Sequence, residues 1–205
     1  MDFTKNKMEV QNYLGHMYMP GFSEANLFDA LMETLDNLKD VKGRKSILIL
    51  ASGRDTFSKH TLDECLKRVK QTDVTIFSVG VARGFTNYAD RPGGLSSIGR
   101  LEYLQADNQL KTFAEMTGGK AFFPIFQGEI PSIMREIAAL LRAQYSVGYS
   151  PSNPARDGKY RKIKVELVGE DGKPLIIPNQ KNGKPIKIVV YTRQGYTAPK
   201  GAVSD

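Results

Sequence analysis

Leu27, Phe28, Leu31, Leu35 and Leu38 recur at spacings of three and four, which predicts an amphipathic helix opening at Ser23 and stopping before Lys42-Gly43. The unbroken apolar run at 47–51 is too short for a helix and predicts a strand buried on both faces. Ser52-Gly53-Arg54-Asp55 then forms the loop at that strand's carboxyl end. Thr61 and Glu64 have the spacing of a capping box, opening a helix whose inner stripe is Leu62, Cys65, Leu66 and Val69. Residues 74–79, rich in β-branched side chains, predict a second strand. Residues 82–104, containing Pro92-Gly93-Gly94, predict a loop of unusual length. A helix over 108–116 closing on Gly118-Gly119 and a short strand over 121–123 come next. The stripe Ile130, Ile133, Ile137, Leu140 and Leu141, with Pro131 in its first turn, predicts a further helix.

Alternation of buried apolar strands with amphipathic helices predicts an α/β domain over residues 1–144, a parallel sheet flanked by helices. The period changes after residue 144. Residues 145–149, then Ile163, Val165 and Leu167, then Ile186, Ile188 and Val190 alternate strictly. Asp157-Gly158, Asp171-Gly172 and Asn182-Gly183 punctuate them as turns, so residues 145–205 predict a small antiparallel β extension with one wet face. Tyr149-Ser150-Pro151 and Gly195-Tyr196 are the expected anchors between the two parts.

Composition narrows the function classes. The 205 residues are 40% hydrophobic and 25% charged, an ordinary globular balance. The run Ile47 to Ala51 is far shorter than the roughly 20 apolar residues of a spanning helix, and Met1-Asp2 opens no secretory pattern. Cys65 is the only cysteine, which excludes an intramolecular disulfide and a cysteine-built zinc site and predicts a buried, inert thiol. The net charge of +7 is concentrated: residues 150–205 hold 11 basic against 5 acidic side chains.

No Gly-x-Ser-x-Gly elbow and no phosphate-binding glycine loop with the required lysine occurs, so no enzyme is expected. Of the two histidines, His60 precedes the capping Thr61 and is expected as a solvated loop residue. Arg161, Lys162, Lys164, Lys187 and Arg193 lie beside Tyr160, Tyr191 and Tyr196, a composition that could track phosphates and stack bases. Lys162 and Lys164 alternate with Ile163 and Val165, so a solvated strand face accounts for them and nucleic acid is the disfavoured partner.

Several segments together resemble a known family. They are 21–31 (Gly-Phe-Ser-Glu-Ala-Asn-Leu-Phe-Asp-Ala-Leu), the strand and loop 47–58, and Phe113-Ala114-Glu115-Met116-Thr117-Gly118-Gly119. The tail adds residues 144–149, 157–165 and 193–199. In this order they resemble a von Willebrand factor type A domain, of the related family described from Acidobacteria. The resemblance implies a Rossmann-like sheet and a noncatalytic binding module acting through the loops at the strands' carboxyl ends. It also implies an extracytoplasmic location and an unidentified protein partner.

Many such domains hold magnesium with an Asp-x-Ser-x-Ser loop, a threonine, and an aspartate preceding a glycine, since hard oxygens suit that ion. Here the first motif is absent, Ala25 stands at the second position, and Ser52 stands before Gly53 at the third. The expectation is therefore a degenerate site with no cofactor; magnesium would return only with an upstream segment carrying Asp-x-Ser-x-Ser. The expected binding rim comprises Ser23, Ala25, Asn26, Ser52, Arg54, Asp55 and Ser58, within residues 20–26, 51–60 and 82–104, with Asp29 one helical turn from Ala25. The resemblance begins inside the domain, so the family's first strand would precede Met1 and strand 46–51 would present an open edge.

Overall fold

The computed structural model describes residues 3–16, 25–82, 97–178, 185–186 and 188–201. In chain order the elements are α1 (Lys7–Gly15), α2 (Leu27–Asn37), β1 (Ser46–Ala51), α3 (Leu62–Gln71), β2 (Thr75–Gly80) and α4 (Ser97–Thr117). These are followed by β3 (Ala121–Phe122), a 3-10 turn (Gln127–Glu129), α5 (Ile130–Arg142), β4 (Tyr160–Lys162), β5 (Ile177–Pro178), β6 (Pro185–Ile186) and β7 (Gly195–Thr197). The protein is α/β: β1, β2 and β3 form a parallel sheet in that spatial order, flanked by helices, and two small antiparallel pairs, β4–β7 and β5–β6, follow.

The pleat of β2 divides the core. On one face Val74 and Ile76, with Ile49 from β1, pack against Phe28, Leu31 and Leu35 of α2, Cys65 and Val69 of α3, and Leu110, Phe113 and Met116 of α4. On the other face Phe77 and Val79, with Phe122, pack against Ile133 and Ile137 of α5. Three helices thus cover one side of the sheet and one covers the other. Ser78 points into the first face, where its hydroxyl donates to the Leu110 carbonyl at 3.1 Å. At the bottom of the sheet the buried Thr117 hydroxyl accepts from Ile76 N–H at 2.9 Å and so replaces a ladder bond that the short β3 cannot supply.

Helix ends follow local chemistry. Thr61 and Glu64 form the capping box that their spacing predicts, with Glu64 Oε2 accepting from Thr61 N–H at 2.7 Å. Gly118 ends α4 with φ +79°, and Gly119 lies so close to the Ile76 carbonyl that a Cβ would collide with it. Pro131 sits in the first turn of α5.

Four expectations are corrected. The helix expected from 108 begins at Ser97, so the loop expected over 82–104 ends by that residue; residues 83–96, including Pro92-Gly93-Gly94, lie outside the described residues. The periodicity of 97–107 is weakened by Gly99 and by polar positions, which hid the helix. Helix α1 was not predicted; it buries none of its residues and so carries no apolar stripe. Strand β1 is not buried on both faces: Leu48 is 40% and Leu50 53% exposed, because α5 covers only β2 and β3.

The β extension is the fourth. Strands expected at 145–149, 163–167 and 186–190 give way to the short β4, β5, β6 and β7. Tyr145, Val147, Val165 and Leu167 are exposed, so their alternation marks no buried face. Asn182-Gly183 lies outside the described residues. Tyr149 and Tyr196, expected as anchors between the two parts, form an edge-to-face ring pair with each other inside the extension, centroids 6.2 Å apart. The neighbouring Arg193 donates to the Lys70 carbonyl at the end of α3, at 3.3 Å.

Candidate functional site: a stapled rim at the carboxyl end of β1

The first N–H groups of any helix lack intrahelical acceptors. Asn26 stands at the N-cap position of α2 but its side chain makes no capping bond. The acceptors come instead from the loop after β1, about thirty residues along the chain. Asp55 Oδ1 accepts from Phe28 N–H at 3.0 Å, and Ser58 Oγ accepts from Asp29 N–H at 3.1 Å. The Ser58 hydroxyl donates to Asp55 Oδ1 at 2.6 Å, and Ser58 N–H reaches Asp55 Oδ2 at 3.3 Å.

The helix returns the contact. Asp29 Oδ2 accepts from Lys59 N–H at 3.0 Å, and Asp29 Oδ1 accepts from His60 N–H at 3.0 Å and faces His60 Nδ1 at 2.7 Å. One step earlier, Thr56 N–H donates to the Ala25 carbonyl at 2.8 Å and Thr56 Oγ1 accepts from Ala25 N–H at 3.0 Å. Helix start and loop are therefore stapled in both directions. The backbone N–H groups of Lys59 and His60, followed by the His60 ring, hold the Asp29 carboxyl down at about 2. Beneath the staple Cys65 is fully buried with its Sγ 3.8 Å from the Phe28 carbonyl. Burial first, then the carboxylates of Asp55, Glu64 and Asp29, push its thiol up to about 11.

The other half of the loop leans on α4. Ser52 Oγ accepts from Arg54 N–H at 3.3 Å. Gly53 has φ +81°, and a Cβ there would lie 2.6 Å from the Ala106 carbonyl oxygen, so only glycine lets the loop lie flat on the helix. Arg54 pairs with Glu102 at 3.1 Å and sits 5.9 Å from the Tyr103 ring centroid.

Of the expected rim, Ala25, Asp55 and Ser58 thus join one network, Ser52 and Arg54 form a second against α4, and Asn26 is exposed. Ser23 lies outside the described residues. The sequence reading missed Thr56 and the partnership of Asp29 with His60, which is no free loop histidine. Nothing local signals a pair 31 positions apart; an aspartate in the third helical position suits the helix dipole without any loop.

The donor set does not fit the magnesium site that the resemblance implies. All four carboxylate oxygens of Asp29 and Asp55 already accept from the chain's own N–H or O–H groups. Among the described residues no three His, Cys, Asp or Glu side chains are grouped to hold a metal ion.

Three of the basic residues named in the tail are engaged within the chain. Arg161 pairs with Asp157 at 3.2 Å and donates to the Ala155 carbonyl at 2.9 Å. Lys164 pairs with Glu166 at 2.7 Å, and Arg193 is held against α3. Lys162 is exposed, and Lys187 lies outside the described residues.

No protein-family model and no curated protein matches the chain. Among solved structures, an uncharacterized membrane-spanning protein from Vibrio fischeri is similar over 67% of this chain and 67% of its own, at 20% identity and a TM-score of 0.34. Among the described residues of the present chain, no helix is long and apolar enough to cross a membrane.

Proposed function

We propose that the chain is a noncatalytic binding module of the von Willebrand factor A type, with a Rossmann-like sheet, a degenerate metal site, and a protein partner engaged at the rim. The observation that carries this reading is the two-way staple between α2 and the 52–60 loop. It fixes a rim beyond the carboxyl end of a parallel strand, the place where open α/β sheets bind their ligands. Carboxylates that would serve a metal hold that rim rigid instead, and Asn26 and Arg54 remain at its surface. Rigid presentation lowers the entropy lost when a partner docks. The basic β surface is the weaker reading, because its arginines and Lys164 are engaged within the chain.

Site-specific photo-crosslinking in the cells that make the protein tests it. A crosslinker at position 26 or 54 is expected to capture a discrete protein, and one at position 162 is not. Capture only from position 162, or from none of the three, overturns the rim reading.

A further inference from the structure

Within the tail, one β ribbon is apolar on both of its faces. Leu175 N–H donates to the Leu167 carbonyl at 2.8 Å and Val168 bridges Pro174, so residues 165–168 and 174–178 run antiparallel across the turn at Gly172. On the other side of the second segment, Ile177 of β5 pairs with Ile186 of β6. Alternation sets Leu167, Leu175 and Ile177 on one face of the ribbon and Val168 and Ile176 on the other. All five are exposed, Val168 at 57% and Ile176 at 67%. The middle segment thus shows apolar side chains on both faces, while its backbone has strand neighbours on both sides. The tail meets the body at Lys70, at Gly118 and, through Tyr191, at Lys120 beside β3, the strand farthest from β1.

Charge surrounds the ribbon unevenly. From Gly172 to Ser204 the chain has six basic side chains and no acidic one. Among the acidic residues just before that stretch, Glu166 pairs with Lys164 at 2.7 Å and Asp171 with Lys173 at 3.9 Å. Lys162, ahead of the apolar run, is exposed and belongs to no ion pair among the described residues.

Clustered bare apolar side chains of this kind mark an interaction surface. That both faces are apolar selects the occupant. A protein docked on one face would leave the other in water, and a second copy would bring one acid-free segment against another. A lipid interface contacts both faces at once, requires backbone N–H and C=O groups to be paired, and attracts lysine where the lipid is anionic.

We propose that the ribbon of residues 165–178 is a peripheral docking element that seats in the surface of an anionic bilayer. Val168, Leu175, Ile176 and Ile177 enter the boundary between headgroups and acyl chains, and Lys162 and the acid-free stretch after Asp171 are drawn to the lipid phosphates. This surface is separate from the rim and does not depend on it.

The test is flotation of the full chain with vesicles of phosphatidylcholine and phosphatidylglycerol, beside vesicles of phosphatidylcholine alone, with sedimentation of the free chain in parallel. The chain is expected to float with the anionic vesicles, at least about tenfold more weakly with the neutral ones, and to release as salt rises. Val168→Ser with Ile176→Ser removes apolar surface without changing charge and is expected to weaken binding about tenfold. Leu101→Ser with Leu104→Ser, which alters equally exposed leucines on α4, is expected to leave binding unchanged. Slow hydrogen exchange of the Leu175 amide shows that the ribbon of a variant is intact. An environment-sensitive dye on an Ile176→Cys variant is expected to shift to the blue on anionic vesicles, the native Cys65 being buried.

Failure to float with anionic vesicles, or equal loss from the α4 pair and the ribbon pair, would overturn the proposal. Salt-sensitive binding that ignores Val168→Ser with Ile176→Ser and leaves the dye unshifted would also overturn it, reducing the tail to a surface for polyanions in general. Sedimentation of the free chain as a dimer that the same two substitutions dissociate would make a second copy the occupant instead.

Discussion

Asp55 and Ser58 stand where a binding residue was expected, yet each satisfies a helix N–H of α2 that has no other acceptor among the described residues. Replacing Asp55 by alanine is expected to cost about 1–2 kcal/mol, the range of a lost N-cap, and urea unfolding would read it as a lower midpoint at unchanged slope. Arg54→Ala removes an exposed ion pair and a contact with the Tyr103 ring and is expected to cost less than about 1 kcal/mol in the same assay. Asp29 supplies a pH signature. Its carboxyl sits at about 2 in the folded chain against an ordinary value of 3.8, so the stability it contributes is complete above pH 4 and is lost as pH falls toward 2. An Asp29→Asn variant should therefore lose stability at neutral pH and show a shallower decline between pH 4 and pH 2, measured as urea midpoint against pH. Cys65 gives the opposite kind of marker. With its thiol buried and raised to about 11, alkylation of the native protein at pH 8 should run at least ~100-fold slower than of the unfolded chain, which mass spectrometry of the labelled protein can follow.

At the scale of elements, packing explains why two glycines tolerate no side chain. Gly53 brings the 52–60 loop against α4, and Gly119 brings the end of α4 against β2. Gly53→Ala combines a positive φ with a collision against the Ala106 carbonyl and is expected to destabilise by about 2–4 kcal/mol, seen as a fall of several degrees in Tm. The helix stripes of α2, α3 and α5 were legible because each element's burial is decided by one face and a period of three and four. Leu31 and Leu35, Cys65 and Val69, and Ile133 and Ile137 are buried as their spacing requires. Helix α4 was half legible. Leu110, Phe113 and Ala114 face the core, while Leu101 and Leu104 stay exposed, so its first turns carry no stripe to read.

Among the described residues the sheet is lopsided, with three helices against one face and one against the other. The contacts that hold the tail to this body include the Arg193 bond to the Lys70 carbonyl and the close approach of Gly118 to the backbone of Thr192 and Arg193. Arg193→Ala is expected to speed limited proteolysis within 144–160 several-fold, about what the loss of one partly buried hydrogen-bonded charge would produce, while Cys65 stays masked. An unchanged cleavage rate would mean that the tail is held by its remaining contacts alone.

The amino-acid order by itself determined the parallel α/β core, the capping box at Thr61, the burial of Cys65 and the change of character after residue 144. These follow from local periods and short-range capping, which neighbours a few positions apart decide. Only the tertiary structure decided the rest. Asp29 meets His60 and Asp55 meets Phe28 across about thirty residues, and the exposure of Leu48 and Leu50 depends on where α5 lies over the sheet. The alternation of residues 145–149 obeys the same period as a buried strand, yet Tyr145 and Val147 find nothing to pack against. A pattern states which side chains would share a face; whether another surface arrives to cover that face is a property of the assembled chain.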